Sequence, residues 1–239
     1  MSIAANIAII EERIQAACLR SGRKYEDITL MGISKLQPIE AVEQAWKAGL
    51  RCFGESRVQE ASAKFAVSKF AGAQLGGFRE LYPGMELHLV GSLQRNKANR
   101  AAMLFDCVQS LDRQVLIPEL ARHAVHRDRP LDVLLELRTG GDSKSGFTDM
   151  DALLYAADTV LQYPSLCIRG LMTIAPNTRE ESEVRAAFRR MVQAQQELEH
   201  RFPGCWSCLS MGMSGDFEIA VEEGSTMLRI GSIIFGERM

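Results

Sequence analysis

The first residue in the chain that could do chemistry is a lysine that directly follows an apolar stretch. The run reads Ile28-Thr29-Leu30-Met31-Gly32-Ile33-Ser34-Lys35. Poor solvation at the end of a buried strand lowers a lysine's pKa and leaves a neutral amine, the form that Schiff-base chemistry needs. A solvated lysine at a strand end is the alternative. Toward the other end of the chain lie two loops of small residues, Ser210-Met211-Gly212-Met213-Ser214-Gly215-Asp216 and Gly231-Ser232. Small residues let backbone N–H groups approach a phosphate, although Gly and Ser are also ordinary turn residues. Between these loops Arg229 stands in an apolar run with Leu228 and Ile230 as neighbours. A buried guanidinium without a partner is very costly, so something must accept its hydrogen bonds. That acceptor is either an internal carboxylate such as Glu136 or an atom of a ligand, and the residues alone leave both open.

Other groupings carry less. Cys205-Trp206-Ser207-Cys208 has the spacing of a redox pair, but it leads into a strand rather than a helix, and no second pair completes a zinc site. His123 and His126 are three apart on a helix, flanked by Arg122 and Arg127, which suggests a solvated face. Asp142, Lys144 and Ser145 form a polar loop that either gates a site or simply connects two elements. Arg95, Asn96, Lys97 and Arg100 read as the solvated start of a helix. No metal site is expected.

The elements that must position these residues alternate along the chain. Ile3, Ile7, Ile10, Ile14 and Cys18 mark one face of a first helix, with Ser2 as its N-cap and Gly22 as its stop. Strands are expected at 28–34, 51–55, 86–91, 105–111, 131–137, 168–174, 206–212 and 227–235. Helices are expected between them at 38–48, 57–70, 95–104, 113–126, 149–162, 180–201 and 216–223, with loops at 71–84 and 138–147. Thr148 and Asp151 are the expected cap and first-turn acid of the helix at 149–162. The pattern predicts parallel strands with right-handed crossovers, hence an α/β chain folded as a single (β/α)8 barrel spanning residues 1–239, with no helix after strand eight. In such barrels the chemistry sits at the C-terminal ends of the strands, and phosphate is often held after strands seven and eight. Lys35, Arg229 and both small-residue loops lie at those ends.

Composition excludes several classes. With 28 basic and 30 acidic residues, the formal charge of -2 argues against a generally cationic nucleic-acid binder. No apolar run approaches the ~20 residues that span a bilayer. The N-terminus, with Glu11 and Glu12 inside its apolar pattern, does not resemble a signal peptide. Six scattered cysteines in a chain of this size read as reduced thiols of a cytoplasmic protein.

A set of motifs, in order along nearly the whole chain, carries a family resemblance. They are Gly32-Ile33-Ser34-Lys35, Phe53-Gly54-Glu55, Val58-Gln59-Glu60, Val90-Gly91-Ser92-Leu93-Gln94-Arg95-Asn96-Lys97, Ser143-Lys144-Ser145-Gly146-Phe147, Arg169-Gly170-Leu171-Met172, Leu209-Ser210-Met211-Gly212-Met213-Ser214 and Gly224-Ser225-Thr226-Met227-Leu228-Arg229-Ile230-Gly231, running on to Phe235-Gly236-Glu237-Arg238. The sequence resembles the pyridoxal phosphate homeostasis proteins, also called the proline synthase co-transcribed family. That resemblance implies one barrel similar to the N-terminal domain of alanine racemase. It implies pyridoxal 5'-phosphate held as a Schiff base on Lys35, Ser210, Ser214, Gly231 and Ser232 around the phosphate, and Arg229 facing the pyridine nitrogen. The chain departs from the family pattern at Ser56 (usually Asn), Arg57 (Tyr), Leu87 (Trp), Arg138 (Asn) and Ser232 (Thr).

Three functions follow as expectations. The first is a non-catalytic carrier that buffers or delivers pyridoxal phosphate inside the cell, with apoenzymes that use the cofactor as possible recipients. An Arg beside the pyridine nitrogen disfavours its protonation and weakens the ring as an electron sink. The second is a racemase-like enzyme, which needs a second base opposite the lysine. Related racemases take a Tyr from an added C-terminal domain, and Tyr25, Tyr82, Tyr155 and Tyr163 lie on helices or away from strand ends. The third is a phosphosugar-type barrel enzyme without pyridoxal phosphate, which explains the phosphate loops but leaves Lys35 and Arg229 unlinked.

Overall fold

A computed structural model describes residues 2–65, 78–140 and 145–236. Eight strands alternate with helices: β1 (Thr29–Ile33), β2 (Cys52–Glu55), β3 (Glu86–Leu89), β4 (Cys107–Leu111), β5 (Leu131–Glu136), β6 (Leu166–Met172), β7 (Cys208–Ser210) and β8 (Met227–Ile230). They close into one barrel in sequence order, with β8 paired to β1 and every pair parallel. This is the expected (β/α)8 architecture. Because side chains alternate across a strand, each strand feeds two cores. Phe53, Leu87, Val108, Leu135 and Leu228 point outward and pack under the helices. Met31, Cys52 and Met227 form one cluster inside the barrel, and Cys107, Leu134 and Met172 another.

Helix α1 (Ile3–Ser21) precedes the barrel. Ala5 N–H donates to the Ser2 hydroxyl (3.2 Å), and Gly22 ends the helix in the left-handed region at φ 67°. Ile7, Ile10, Ile14, Ala17 and Cys18 are its buried face, as the spacing predicts. The connecting helices are α2 (Ile39–Lys47), α3 (Val58–Phe65), α4 (Phe78–Leu81), α5 (Ala98–Leu104), α6 (Leu116–Ala124), α7 (Met150–Leu161), α8 (Glu181–Arg201) and α9 (Phe217–Glu222). The four-residue helix α4 falls inside the segment expected to be loop. The last residues of the expected helix 57–70 and most of the loop after it lie outside the described residues, as do Asp142 and Lys144.

Three expectations are corrected. The strand foreseen over 227–235 stops at Ile230, and Ser232–Phe235 forms a short helix, α10, so a helix does follow strand eight. The break comes at Gly231, whose φ and ψ of -117° and -74° leave the extended region. Beyond it Ile234 is buried, and its carbonyl accepts from Asn6 Nδ2 of α1 at 2.9 Å. Helix α7 is capped by Asp149, not Thr148: the Asp149 carboxylate accepts from Ala152 N–H at 2.9 Å, and Thr148 donates its hydroxyl to that carboxylate. Strand β7 is shorter than 206–212. Trp206 packs into the outer core with Nε1 donating to Phe202 O at 2.9 Å, and Gly212 turns the chain at φ 95°.

One local feature marks the pairing of β5 with β6. The β5–β6 register slips between Val133↔Ile168 and Leu134↔Gly170, leaving Arg169 as an extra residue in β6. At the bulge Arg169 Nε donates to Asp132 at 3.0 Å, both lining a cavity at the N-terminal end of the barrel, and Gly170 takes φ 152°. A Cβ on Gly170 would lie 1.8 Å from the Cys208 carbonyl oxygen of β7, which is backbone and cannot give way. Gly170→Ala is therefore expected to cost about 3 kcal/mol or more, the sum of a strained φ and an overpacked contact. Urea unfolding should show this as a lower midpoint at unchanged slope, and a loss below about 1 kcal/mol would contradict the account.

Candidate functional site

Lys35 sits in the turn that follows β1, half-buried, and the turn is held from below. Ser34 is fully buried; its N–H donates to Gly54 O (3.0 Å) and its hydroxyl to Glu55 Oε1 (2.7 Å). Lys64 of α3 donates to Ser34 O (2.6 Å), to Glu55 Oε1 (2.6 Å) and to Glu60 (3.3 Å). Leu36 takes a left-handed φ of 62°, uncommon for a branched side chain, and its N–H donates to Glu60. The lysine that could form a covalent bond is thus flanked by two residues whose backbone is pinned by a buried ion pair. Glu55 is fully buried, and desolvation pushes its carboxyl upward against the opposing pull of Lys64.

Across the mouth, the chain leaving β7 turns at Gly212 into Met213-Ser214-Gly215-Asp216, and the chain leaving β8 turns at Gly231 into α10. A Cβ on Gly212 would lie 2.6 Å from Ala220 Cβ, so the small residue lets this loop fold back on α9. The two loops meet: Ser232 Oγ is 3.1 Å from Ser214 Oγ. The N–H groups of Ser214 and Gly215 have no acceptor among the described residues, nor do those of Ser232 and Ile233, which precede the first α10 hydrogen bond, Ile234 N–H to Gly231 O at 3.0 Å.

Arg229 is 5% exposed and forms no ion pair among the described residues. Nη1 donates to Ser210 Oγ (2.7 Å) and Nη2 to Thr173 O (2.6 Å). Glu136, the carboxylate considered as its partner, instead accepts from the Ser145 hydroxyl. Desolvation lowers the Arg229 pKa to about 10, against the weaker opposing fields of Asp216 and Glu136. A buried cation with no paired carboxylate and part of its donor set uncommitted is what a ligand acceptor would satisfy.

Lys35, Ser214, Arg229, Gly231 and Ser232 line one cavity of about 480 Å³, together with Ile33 and Gln37 from the β1 side. Of the six expected site residues only Ser210 lies off that lining. It is fully buried beneath the cavity, where its hydroxyl accepts from Arg229 and donates to Gln109 Oε1 at 2.7 Å. An amine, two hydroxyls, free N–H groups and an uncompensated guanidinium in one cavity fit pyridoxal phosphate, which presents an aldehyde, a phosphate and a ring nitrogen. The remaining candidates are not part of it. Cys205 and Cys208 are free thiols, His123 and His126 stand on the α6 side, and Arg95 pairs with Glu119 at 2.9 Å on the surface. Ser56 is partly exposed, and Arg138 donates to Ser145 O at 3.2 Å.

Four supporting residues were not singled out from sequence. Glu55 and Lys64 hold the Lys35 turn, Thr173 accepts from Arg229, and Gln109 accepts from Ser210 beneath it. A Gln inside the apolar run Cys107–Leu111 is a buried polar group that must have partners, and that signal was available.

Comparison with known proteins places this architecture. The family model for the alanine racemase N-terminal domain matches residues 3–239. The pyridoxal phosphate homeostasis protein of Escherichia coli is 39% identical over 99% of this chain and 97% of its own length. That of Vibrio cholerae is 36% identical over 99% of this chain and 97% of its own. The structure of PipY from Synechococcus elongatus with PLP bound superposes with a TM-score of 0.81 at 34% identity, covering 98% of this chain and all of that one. Alanine racemase from Oenococcus oeni shares the fold at a TM-score of 0.68 and 16% identity, with 99% of this chain matching 62% of the enzyme. The chain belongs to the alanine racemase N-terminal domain family and, within it, to the pyridoxal phosphate homeostasis proteins.

Proposed function

We propose that this chain binds pyridoxal 5'-phosphate and serves its homeostasis, holding the cofactor without turning over amino acids. The observation that carries the reading is the meeting, in one cavity, of Lys35, the Ser214 and Ser232 hydroxyls and the uncompensated charge of Arg229. When bound, pyridoxal phosphate supplies an electrophilic aldehyde and a ring that withdraws electrons when its nitrogen is protonated. Lys35 is the covalent anchor for the aldehyde. Ser214, Gly231 and Ser232 take the phosphate, and Ser210 acts from beneath by orienting Arg229. Arg229 keeps its own proton and faces the ring nitrogen as a hydrogen-bond donor. A cation there keeps that nitrogen unprotonated.

Several features support a carrier over a catalyst. No tyrosine lines the cavity among the described residues, so none stands opposite Lys35 as a second base. The relatives' shared description as homeostasis proteins points the same way. Delivery to apoenzymes that use the cofactor, in the cytoplasm, is the cellular role that fits. No helix among the described residues is long and apolar enough to cross a membrane.

Three outcomes test the site. Borohydride reduction of the cofactor-loaded protein, followed by peptide mapping, should label Lys35, and label on another lysine would remove the assignment. Lys64→Met should leave Glu55 buried without its cation and cost about 3–5 kcal/mol near neutral pH. Burial already holds the Glu55 carboxyl above its ordinary 4.5, and losing Lys64 raises it further. The deficit is therefore full above that raised pKa and is lost as the pH falls through it, because the carboxyl is then neutral in the folded variant and needs no cation. Unfolding curves across pH check the sign: a deficit that grows on acidification would refute the pairing. Arg229→Glu, at matched cofactor occupancy and with the fold confirmed by its melting curve, should take up solvent deuterium into alanine faster than wild type does. Unchanged exchange would mean that Arg229 does not face the ring.

A further inference from the structure

At the opposite end of the barrel, the N-terminal ends of the strands enclose a second cavity of about 210 Å³. Glu86 and His88 line it, and neither takes part in the site described above. Both point inward from β3, and the register sets Cys52 of β2 beside Glu86. Cys52 Sγ lies 3.8 Å from His88 Nε2, and Glu86 Oε2 lies 3.5 Å from the same nitrogen. The three atoms all fall within 4.8 Å of one another. A tetrahedral zinc ion, with bonds of about 2.3 Å to sulfur and 2.0–2.2 Å to nitrogen and oxygen, separates its S and N ligands by roughly 3.6 Å and its N and O ligands by roughly 3.4 Å. The observed separations differ from these by a few tenths of an ångström.

From this geometry we propose that Cys52, Glu86 and His88 form a site for a zinc-class divalent cation, with a water in the floor cavity as the fourth ligand. A thiolate with an imidazole selects zinc over magnesium or calcium, which take oxygen ligands. The ligating carboxylate is the one partly exposed member, so the ion has an entry path.

Metal binding displaces the Cys52 thiol proton and the proton on His88 Nε2, and leaves the imidazole protonated on Nδ1. Gln109 stands 2.8 Å from Nδ1, the position of the hydrogen-bonding partner that orients a metal-bound imidazole. Rotation of its amide puts Oε1 against Nδ1–H and Nε2 against Ser210 Oγ, so the imidazole gains an acceptor and the Ser210 hydroxyl gives up the one it had. No redox change is involved. Because protons leave, affinity rises with pH.

The test is a cobalt titration of the chelator-treated full chain, with zinc as competitor. One equivalent of Co²⁺ should bring up a thiolate-to-cobalt charge-transfer band that excess Zn²⁺ removes and Cys52→Ser abolishes. Glu86→Gln changes a side chain that is 60% exposed, so it leaves packing undisturbed, and it should weaken Co²⁺ binding by about tenfold or more. Zn²⁺ should also raise the melting temperature of the wild type by more than that of Glu86→Gln. Absence of the band in wild type at saturating Co²⁺, its persistence in Cys52→Ser, or equal affinity in Glu86→Gln would each overturn the site.

Discussion

The constraint on which this structure turns is a guanidinium carried into a barrel interior without a carboxylate to neutralise it. Burying an unpaired cation costs several kcal/mol even after relaxation. The protein meets that cost with neutral acceptors, the Ser210 hydroxyl and the Thr173 carbonyl, and this leaves the charge of Arg229 intact. A carboxylate in the same place would have cancelled the field in the cavity. The carboxylates that do lie nearby are occupied elsewhere: Glu136 with Ser145, and Asp216 with Met213 N–H at 2.5 Å. The result is a cavity whose wall is positive where a ring nitrogen would approach, reached by a lysine from β1 and by two small-residue loops from β7 and β8.

An analogous arrangement holds the other side of the mouth, with opposite logic. Lys64 and Glu55 form a buried ion pair that cancels its own charge and so contributes position rather than field. Its reward is backbone geometry: Lys64 grips Ser34 O, and Glu60 holds the Leu36 N–H in a left-handed turn. Lys35 projects from between these two clamped residues. One wall of the cavity is electrostatic and the other mechanical, which matches the demands of the ligand proposed above.

The legible part of this design was what the pattern of side chains could carry. Alternating apolar strands and helices predicted the barrel, and the barrel predicted that Lys35, Ser214, Arg229, Gly231 and Ser232 would converge. The illegible part depended on backbone and register. Nothing in the residue type of Thr173 shows that its carbonyl receives Arg229. Ser210 reads as a loop serine beside Ser214, yet β7 ends on it and turns its hydroxyl under the cavity rather than into it. The run Arg229 to Phe235 is apolar enough to read as one strand, and only the turn at Gly231 makes it strand plus helix. Gly170 looked like a motif residue until the bulge in β6 showed a neighbouring carbonyl where its side chain would be.

The barrel axis also carries a polar thread through an otherwise apolar and sulfur-rich interior. Arg229 donates to Ser210, Ser210 to Gln109, and Gln109 Nε2 meets His88 Nδ1 at 2.8 Å. A guanidinium can only donate, so the thread has one preferred direction starting at the mouth, and that direction keeps the His88 proton on Nε2. Reversing the amide of Gln109 moves that proton to Nδ1, but Ser210 still accepts from Arg229, because its oxygen has two lone pairs and needs only one for each donor. The hydroxyl therefore works as an insulator. The hydrogen bonds at the floor of the barrel can rearrange while the Arg229–Ser210 bond at the mouth stays made. A carboxylate or a second amide at position 210 would not separate the two ends in this way: the first would neutralise Arg229, and the second would have to turn with its neighbour. The serine at the end of β7 thus separates the Arg229 cavity at the mouth from the Cys52, Glu86 and His88 cluster at the floor.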